Sequence, residues 1–272
     1  MTGDTPTERY EAFQCLHQSG CFVIPNPWDA GSARALEGLG FKALATTSSG
    51  FAWSRGRPDN QVPLQDVVRY FRDVVSAVRL PVSADFENGF AHDPDQVYEN
   101  VRTALQAGIC GISIEDATQD ASAPLYEPAL AVARVKAARA AITAFGKPVV
   151  LTARFEGFLV GMPSLDEALK RLAQYAEAGA DCLYAPGIRT PEQISAIVGA
   201  VAPKAVNVLV GADFTTVQAL ADMGVRRISV GGALARTAWT GFMQAAKEIA
   251  NEGTFKRFAG IVPNADMNKL MR

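Results

Sequence analysis

Short apolar runs alternate with longer segments of helical spacing along the whole chain. Eight runs have strand length: Cys21–Pro25, Lys42–Thr46, Pro81–Asp85, Cys110–Ile114, Pro148–Thr152, Asp181–Tyr184, Ala205–Leu209 and Arg227–Val230. Their apolar character is continuous, which suits strands covered on both faces in a parallel sheet. Leu64–Val78, Asp95–Ala107, Ala129–Ala144 and Ser164–Ala178 read as intervening helices. Tyr10–Gln18 precedes the first strand and Arg236–Asn251 follows the last. Gly40, Gly108, Gly179 and Gly224 each end a helical segment, at the position where a left-handed cap favours a residue without Cβ. Eight such β-α units predict an α/β fold, a (β/α)8 barrel of the TIM type, over about residues 21–235. A helix over about 236–251 and a tail complete one domain spanning 1–272. A doubly wound open sheet is the alternative, but no reversal point and no GxGxxG follows the first strand.

Composition removes several classes of function. With 26 basic and 28 acidic residues the net charge is -2, which gives no footing for nucleic acid or an anionic membrane. An apolar fraction of 49% excludes a disordered chain. No apolar stretch reaches the length of a membrane span, and the N-terminus lacks a signal-peptide pattern, so a cytoplasmic location is expected. Cys15, Cys21, Cys110 and Cys182 form no CxxC pair, and Cys110 and Cys182 read as small buried hydrophobes. Only two histidines are present, His17 and His92, which argues against a multi-histidine zinc site.

Barrels of this type build their sites at the C-terminal ends of the strands. Here those ends are polar: Thr46-Thr47-Ser48-Ser49-Gly50, Asp85-Phe86-Glu87-Asn88-Gly89, Glu115-Asp116, Arg154-Phe155-Glu156 and Asn207. Asp85, Glu87 and Glu115 would repel one another at a shared mouth unless a cation intervened. All-oxygen donors select a hard ion, Mg2+ or Mn2+. The competing reading is that these acids cap the helices that follow. Arg154 either binds a substrate carboxylate or ion-pairs with Glu115 or Asp116. The Ser48–Phe51 turn can offer backbone N–H groups to an anion. Phe51–Pro63 reads as a long loop, either a lid that delivers Asp59 or a plain turn at Pro58-Asp59-Asn60.

These residues, in this order, resemble the isocitrate lyase/phosphoenolpyruvate mutase superfamily. The resemblance spans nearly the whole chain from Pro25-Asn26-Pro27-Trp28-Asp29-Ala30 onward. Ser83–Phe90, Gly111–Thr118, Leu151–Phe158 and the Ser49-Gly50 turn carry it. It implies a barrel whose mouth holds Mg2+ and an α-keto acid or its enolate. Asp85 would be the main metal ligand, with Glu87 and Glu115 ligating through water. Glu87 is one methylene longer than the family's usual Asp. Arg154 would bind the carboxylate or the developing oxyanion, and Ser49, Gly50 and Phe51 the pyruvyl carboxylate, with Asn207 also facing substrate. Asp59 matches a gating-loop aspartate. A homodimer or homotetramer that exchanges its terminal helices is also implied, with Thr237–Ile249 as the buried stretch.

The chain departs from the family in two places. Lyases acting on isocitrate-type acids carry Lys-Arg-Cys-Gly-His after the third acid, and phosphonate mutases carry Lys-Thr-Asn-Ser. Here Ala117-Thr118-Gln119-Asp120-Ala121-Ser122 stands instead, and Ala185 replaces the mutase histidine. The expectation is therefore a Mg2+-dependent lyase cleaving a C–C bond of an oxaloacetate-like or substituted-malate-like acid through an enolate. Proton transfer would fall to carboxylates, Tyr184, metal-bound water or His92. The substrate's side group would be set by the lid and the Gln119–Pro128 segment. A phosphonopyruvate hydrolase or phosphonomutase using Asp59 is the alternative. A 2-oxo acid-binding protein without turnover is a third.

Overall fold

In a computed structural model, which describes residues 6–271, the chain forms the expected barrel. Helix α1 (Pro6–Gln18) leads into β1 (Phe22–Ile24), α2 (Ala30–Gly38), β2 (Leu44–Ala45), α3 (Ser48–Ser54), α4 (Leu64–Ala77) and β3 (Val82–Ala84). Then come α5 (Pro94–Leu105), β4 (Gly111–Glu115), α6 (Pro128–Phe145), β5 (Val150–Arg154), α7 (Leu165–Glu177) and β6 (Cys182–Tyr184). The chain ends with α8 (Pro191–Val201), β7 (Ala205–Leu209), α9 (Val217–Asp222), β8 (Arg227–Ser229), α10 (Ala233–Glu252), a 3-10 turn (Lys256–Phe258) and α11 (Asn264–Leu270).

All strand pairs are parallel, in the order β1-β8-β7-β6-β5-β4-β3-β2. Between β1 and β2 the ladder narrows to one bond, from Ala45 N–H to Pro25 C=O at 3.1 Å. Buried Asn26 reinforces this seam. Its Nδ2 donates to the Thr46 carbonyl, and its Oδ1 accepts from the N–H groups of Val230 and Gly231 at 2.9 Å. The repeated glycine cap is present: Gly40, Gly108, Gly179 and Gly224 all lie between φ +83 and +104°. Helix faces supply the outer core; on α4, Val67, Val68, Tyr70, Phe71 and Val74 are buried at helical spacing.

Two expectations need correction. The segment from Phe51 does not begin as loop, because Ser48–Ser54 is helical and the loop proper is Arg55–Pro63. The cause is local: the Thr47 hydroxyl accepts the Gly50 N–H at 3.4 Å, and a Cβ at Gly50 would lie 2.7 Å from Thr47 Cγ2 and 3.0 Å from Trp28 Cβ. The last helix begins at Ala233, earlier than Arg236, and a second short helix, α11, follows it. The α10 face carrying Trp239, Phe242, Met243 and Ile249 is exposed. Cys110 and Cys182 are buried, as their apolar neighbours imply. No helix among the described residues is long and apolar enough to cross a membrane.

Helix α1 packs across the N-terminal end of the barrel. Fully buried Phe13 meets the first residue of β4, where a Cβ on Gly111 would come within 2.6 Å of Phe13 Cε1 and 2.8 Å of Ser83 Oγ. Gly111→Ala is therefore expected to lower unfolding stability by about 1–3 kcal/mol through overpacking. Urea denaturation measures it, and an unchanged midpoint would show that α1 yields without cost.

Candidate active site

The C-terminal ends of β2 to β6 converge on Arg154, the last residue of β5. Parallel register places Glu115 opposite Arg154 on β4, and the guanidinium Nη1 lies 2.7 Å from Glu115 Oε1. The same nitrogen lies 2.9 Å from Asp85 Oδ1, and Nε lies 2.8 Å from Glu156 Oε1. The Tyr184 ring centroid is 4.8 Å from its central carbon, a cation–π contact. Of the two pairings open to Arg154 from the sequence, Glu115 is realised. Asp116 turns away and accepts from the Tyr175 hydroxyl at 2.6 Å, the Glu156 N–H at 2.8 Å and Arg171 at 3.3 Å. Asp116 is thus committed to the layer between barrel and helices.

Besides Arg154, two groups at the end of β2 hold Asp85. Its N–H donates to Thr46 Oγ1 at 2.8 Å, and its Oδ2 accepts the Ser48 N–H at 3.0 Å. Glu87 is buried in a left-handed conformation, φ 47°, within the turn after β3. That turn is gripped from behind by buried Arg134, which donates to the carbonyls of Asn88, Ala91 and His92 and lies 3.9 Å over the Tyr126 ring. Burial first, then Asp85 and Asp59, push Glu87 up to about 8. Asp59 reaches the mouth from the Arg55–Pro63 loop, where burial and Asp85 raise it and the Asn60 N–H donates to its carboxylate at 3.0 Å. Burial raises Glu115 and Glu156 as well, against the pull of Arg154. The guanidinium itself stays protonated beside these acids.

Beneath this cluster lies a cavity of about 190 Å³, reaching from Asp59, Ser48 and Ser49 at the rim to Tyr184, Arg227 and Ser229 at its floor. Its lining contains no cysteine, lysine or histidine. His92 is exposed and packs edge-on against Tyr126, with ring centroids 5.3 Å apart, outside the lining. The structure brings Asp59, Asp85, Glu115, Arg154, Ser49 and Glu87 together, but not Phe51 or Asn207. The Phe51 N–H is taken by the Thr47 carbonyl at 3.1 Å and its ring stacks on Tyr70 at 4.1 Å. The Gly50 N–H is likewise spent on the Thr47 cap. Asn207 is fully buried below the cavity, between Arg227 and Ser229.

Glu156 had no role assigned from sequence, and Ser48 and Gln119 have partners that the sequence did not indicate. Glu156 could have been found from its place two residues beyond Arg154 on an inward-pointing strand end. Ser48 contributes its N–H to the Asp85 carboxylate and lines the cavity. Gln119 has the positive φ of 69° that marks a constrained turn. Its amide Nε2 donates to Asn60 Oδ1 at 3.2 Å and Glu87 Oε2 at 3.4 Å, tying the Asp59 loop to the Glu87 turn. No sequence signal announces that long-range contact.

Asp59, Asp85, Glu87, Glu115 and Glu156 together outnumber the single guanidinium among them. The excess of hard oxygen donors, and the upward shift of Glu87, fit a divalent cation in charge and donor chemistry. Among the described residues no three His, Cys, Asp or Glu side chains are gathered for direct coordination. The fit is to an ion carrying much of its water.

A model of the phosphoenolpyruvate phosphomutase family matches residues 13–250. The chain belongs to the isocitrate lyase/phosphoenolpyruvate mutase superfamily. It is 31% identical over 222 residues to an uncharacterised protein of Mycobacterium tuberculosis, covering 81% of each chain. It is 29% identical over 200 residues to an oxaloacetate decarboxylase of Rhodopseudomonas palustris, covering 68% of this chain and 65% of that one. Its fold superposes with a TM-score of 0.95 on the crystal structure of a candidate lyase/mutase from Burkholderia cenocepacia. That protein is 47% identical, with 97% of this chain and 96% of the other covered.

Glu87 sets a pH dependence in the metal-free protein. The folded state holds its proton up to about 8, whereas the unfolded chain releases it near 4, so its ionisation destabilises the fold progressively over that interval. Stability should fall as pH rises from about 4 to about 8. Glu87→Gln should flatten that part of the curve. Urea midpoints from acid to alkaline pH in EDTA measure it, and an identical slope in the variant would contradict the assignment.

Proposed function

We propose that the protein is a lyase that cleaves a C–C bond of an oxaloacetate-like or substituted-malate-like acid through an enolate, assisted by Mg2+ or Mn2+. The observation that carries this reading is the cavity of about 190 Å³ with Arg154 at its mouth and no cysteine, lysine or histidine in its lining. A small acid fits that volume, and Arg154 stands where negative charge develops. The oxaloacetate decarboxylase relative supports the substrate class.

Asp85, Glu87 and Glu115 would hold the ion, chiefly through water. When bound, it polarises a carbonyl oxygen as a Lewis acid. Arg154 stabilises the oxyanion, restrained by Glu115, Asp85 and Glu156 so that little reorganisation accompanies reaction. The Ser49 hydroxyl, 3.2 Å from Thr47 Oγ1 at the start of α3, sits at the rim to orient a carboxylate. Asp59, whose burial favours its protonated form, is placed to move a proton and, with Leu159, to shield the cavity from water.

Asp59 facing the cavity also suits a second reading, cleavage of a C–P bond in phosphonopyruvate. Charge disfavours it: a phosphonate adds negative charge to a mouth already rich in carboxylates. The same reading of the chain includes assembly through the exposed α10 face into a homodimer or homotetramer. The apolar spacing of Trp239, Phe242 and Met243 makes a continuous stripe for another copy. Light scattering should give a mass of at least two chains, and a monomer at micromolar concentration would reject it.

A coupled assay for pyruvate, glyoxylate and CO₂ over a panel of C4 to C6 acids tests the reaction. Release of pyruvate or a related 2-oxo acid, abolished by EDTA, is expected. Asp85→Ala should remove turnover, and Arg154→Lys should lower kcat by about 10²-fold or more by losing the fork that faces the oxyanion. Undiminished turnover in Asp85→Ala would refute the mechanism. Loss of the phosphonopyruvate signal in phosphorus NMR would instead favour C–P cleavage.

A further inference from the structure

The floor of the cavity is a directed chain of hydrogen bonds. It begins at Arg227, the first residue of β8, whose guanidinium has donors and no acceptor. Arg227 Nε donates to Asn207 Oδ1 at 2.8 Å, and this fixes which end of the Asn207 amide is oxygen. Asn207 Nδ2 must then donate onward, and it meets Ser229 Oγ at 2.9 Å. With that oxygen accepting, the Ser229 hydroxyl hydrogen is free to turn toward Tyr184, which lines the same cavity. A Ser229 hydroxyl that donates upward to the phenol oxygen leaves the Tyr184 hydrogen for the cavity.

The lower end of the chain is fixed by the same logic. Arg227 Nη1 lies 3.4 Å from His17 Nε2, which must accept, so the His17 proton sits on Nδ1, 2.8 Å from the Phe13 carbonyl. Burial and Arg227 push His17 down to about 3, in keeping with a neutral ring. The column thus runs from α1 along the barrel axis to Ser229, beside Tyr184, and each member up to the Ser229 oxygen has a forced donor direction.

We propose that Tyr184 is a catalytic hydrogen-bond donor to the enolate oxygen, working beside Arg154, and that Ser229, Asn207 and Arg227 are positioning residues that aim its hydroxyl into the cavity. This rests on the 2-oxo acid reading of the site. Tyr184 lines the cavity, is buried, and sits in register with Asn207 on β7. Burial raises its phenol to about 12, so the proton to be donated is present at neutral pH. A donor aimed at charge that forms only during reaction strengthens in the transition state more than in the ground state.

The test compares two probes by calorimetry in Mg2+ buffer: pyruvate, and oxalate as a planar dianion shaped like the enolate of pyruvate. Tyr184→Phe should lose about 10²-fold in oxalate affinity, as for removal of one oxyanion donor, with pyruvate affinity little changed. Asn207→Asp should do the same without touching either probe. A carboxylate there accepts from both Arg227 and Ser229, so Ser229 can no longer donate to Tyr184 and the phenol must turn its hydrogen downward. The negative charge of that variant is compensated by Arg227, and Tyr184→Phe remains the deciding variant if it does not fold. Wild-type binding of both acids with unchanged oxalate affinity in Tyr184→Phe would overturn this proposal alone. Wild-type protein that binds neither acid would overturn it together with the functional reading.

Discussion

One guanidinium organises the mouth of this barrel. Arg154 bridges Asp85, Glu115 and Glu156 from three different stretches of chain, at 2.7 to 2.9 Å. Without it, the strand ends of β3, β4 and β5 would face one another as like charges in a poorly solvated space. With it, they are still in excess of acid, and that residual imbalance adds to burial, the larger cause, in raising the proton affinity of Glu87 and Asp59. The site is thus stable enough to fold and electrically incomplete, which is the condition for attracting a hard cation.

Below Arg154 the barrel interior is not the apolar stack of branched side chains common in this architecture. Arg227, Asn207, Ser229 and Tyr184 occupy it, with His17 brought in from α1. A buried arginine without a carboxylate partner is costly unless its donors are satisfied, and here an amide and an imidazole accept from it. The consequence is directional: a donor-only group at one end dictates the orientation of each hydroxyl and amide above it. The scarcity of histidine, which argued against zinc, acquires a second meaning, since His17 is an acceptor at the barrel floor and His92 lies outside the cavity.

The barrel was legible because its signals are local and repeated. Continuous apolar runs recur eight times with helical spacing between them, four of the helical segments end in a glycine, and each signal follows from short-range backbone sterics. The acids at the strand ends and Arg154 were legible for a related reason: strand polarity in such a barrel assigns all C-terminal ends to one rim. Phe51 and Asn207 were misplaced where a local contact intervened. The Thr47 cap turned the expected anion-binding turn into the first turn of a helix, and a neighbouring arginine drew Asn207 into the column. The partners of Gln119 and Ser48 were not legible because each acts across a long sequence separation, through an amide and a backbone N–H common to every polar loop.

The order of elements, the rim on which chemistry is found, the family, and the residue types able to bind metal and acid were determined by the chain's own pattern. Which carboxylates Arg154 engages, that Asp116 turns away, that the Asp59 loop is tied to Glu87, and which way the Asn207 amide points were decided only in three dimensions. The physical reason is that side-chain hydrogen bonds and ion pairs depend on ångström-scale distances between strands far apart in sequence. Periodicity determines which face a residue occupies; closure of the barrel determines its partner.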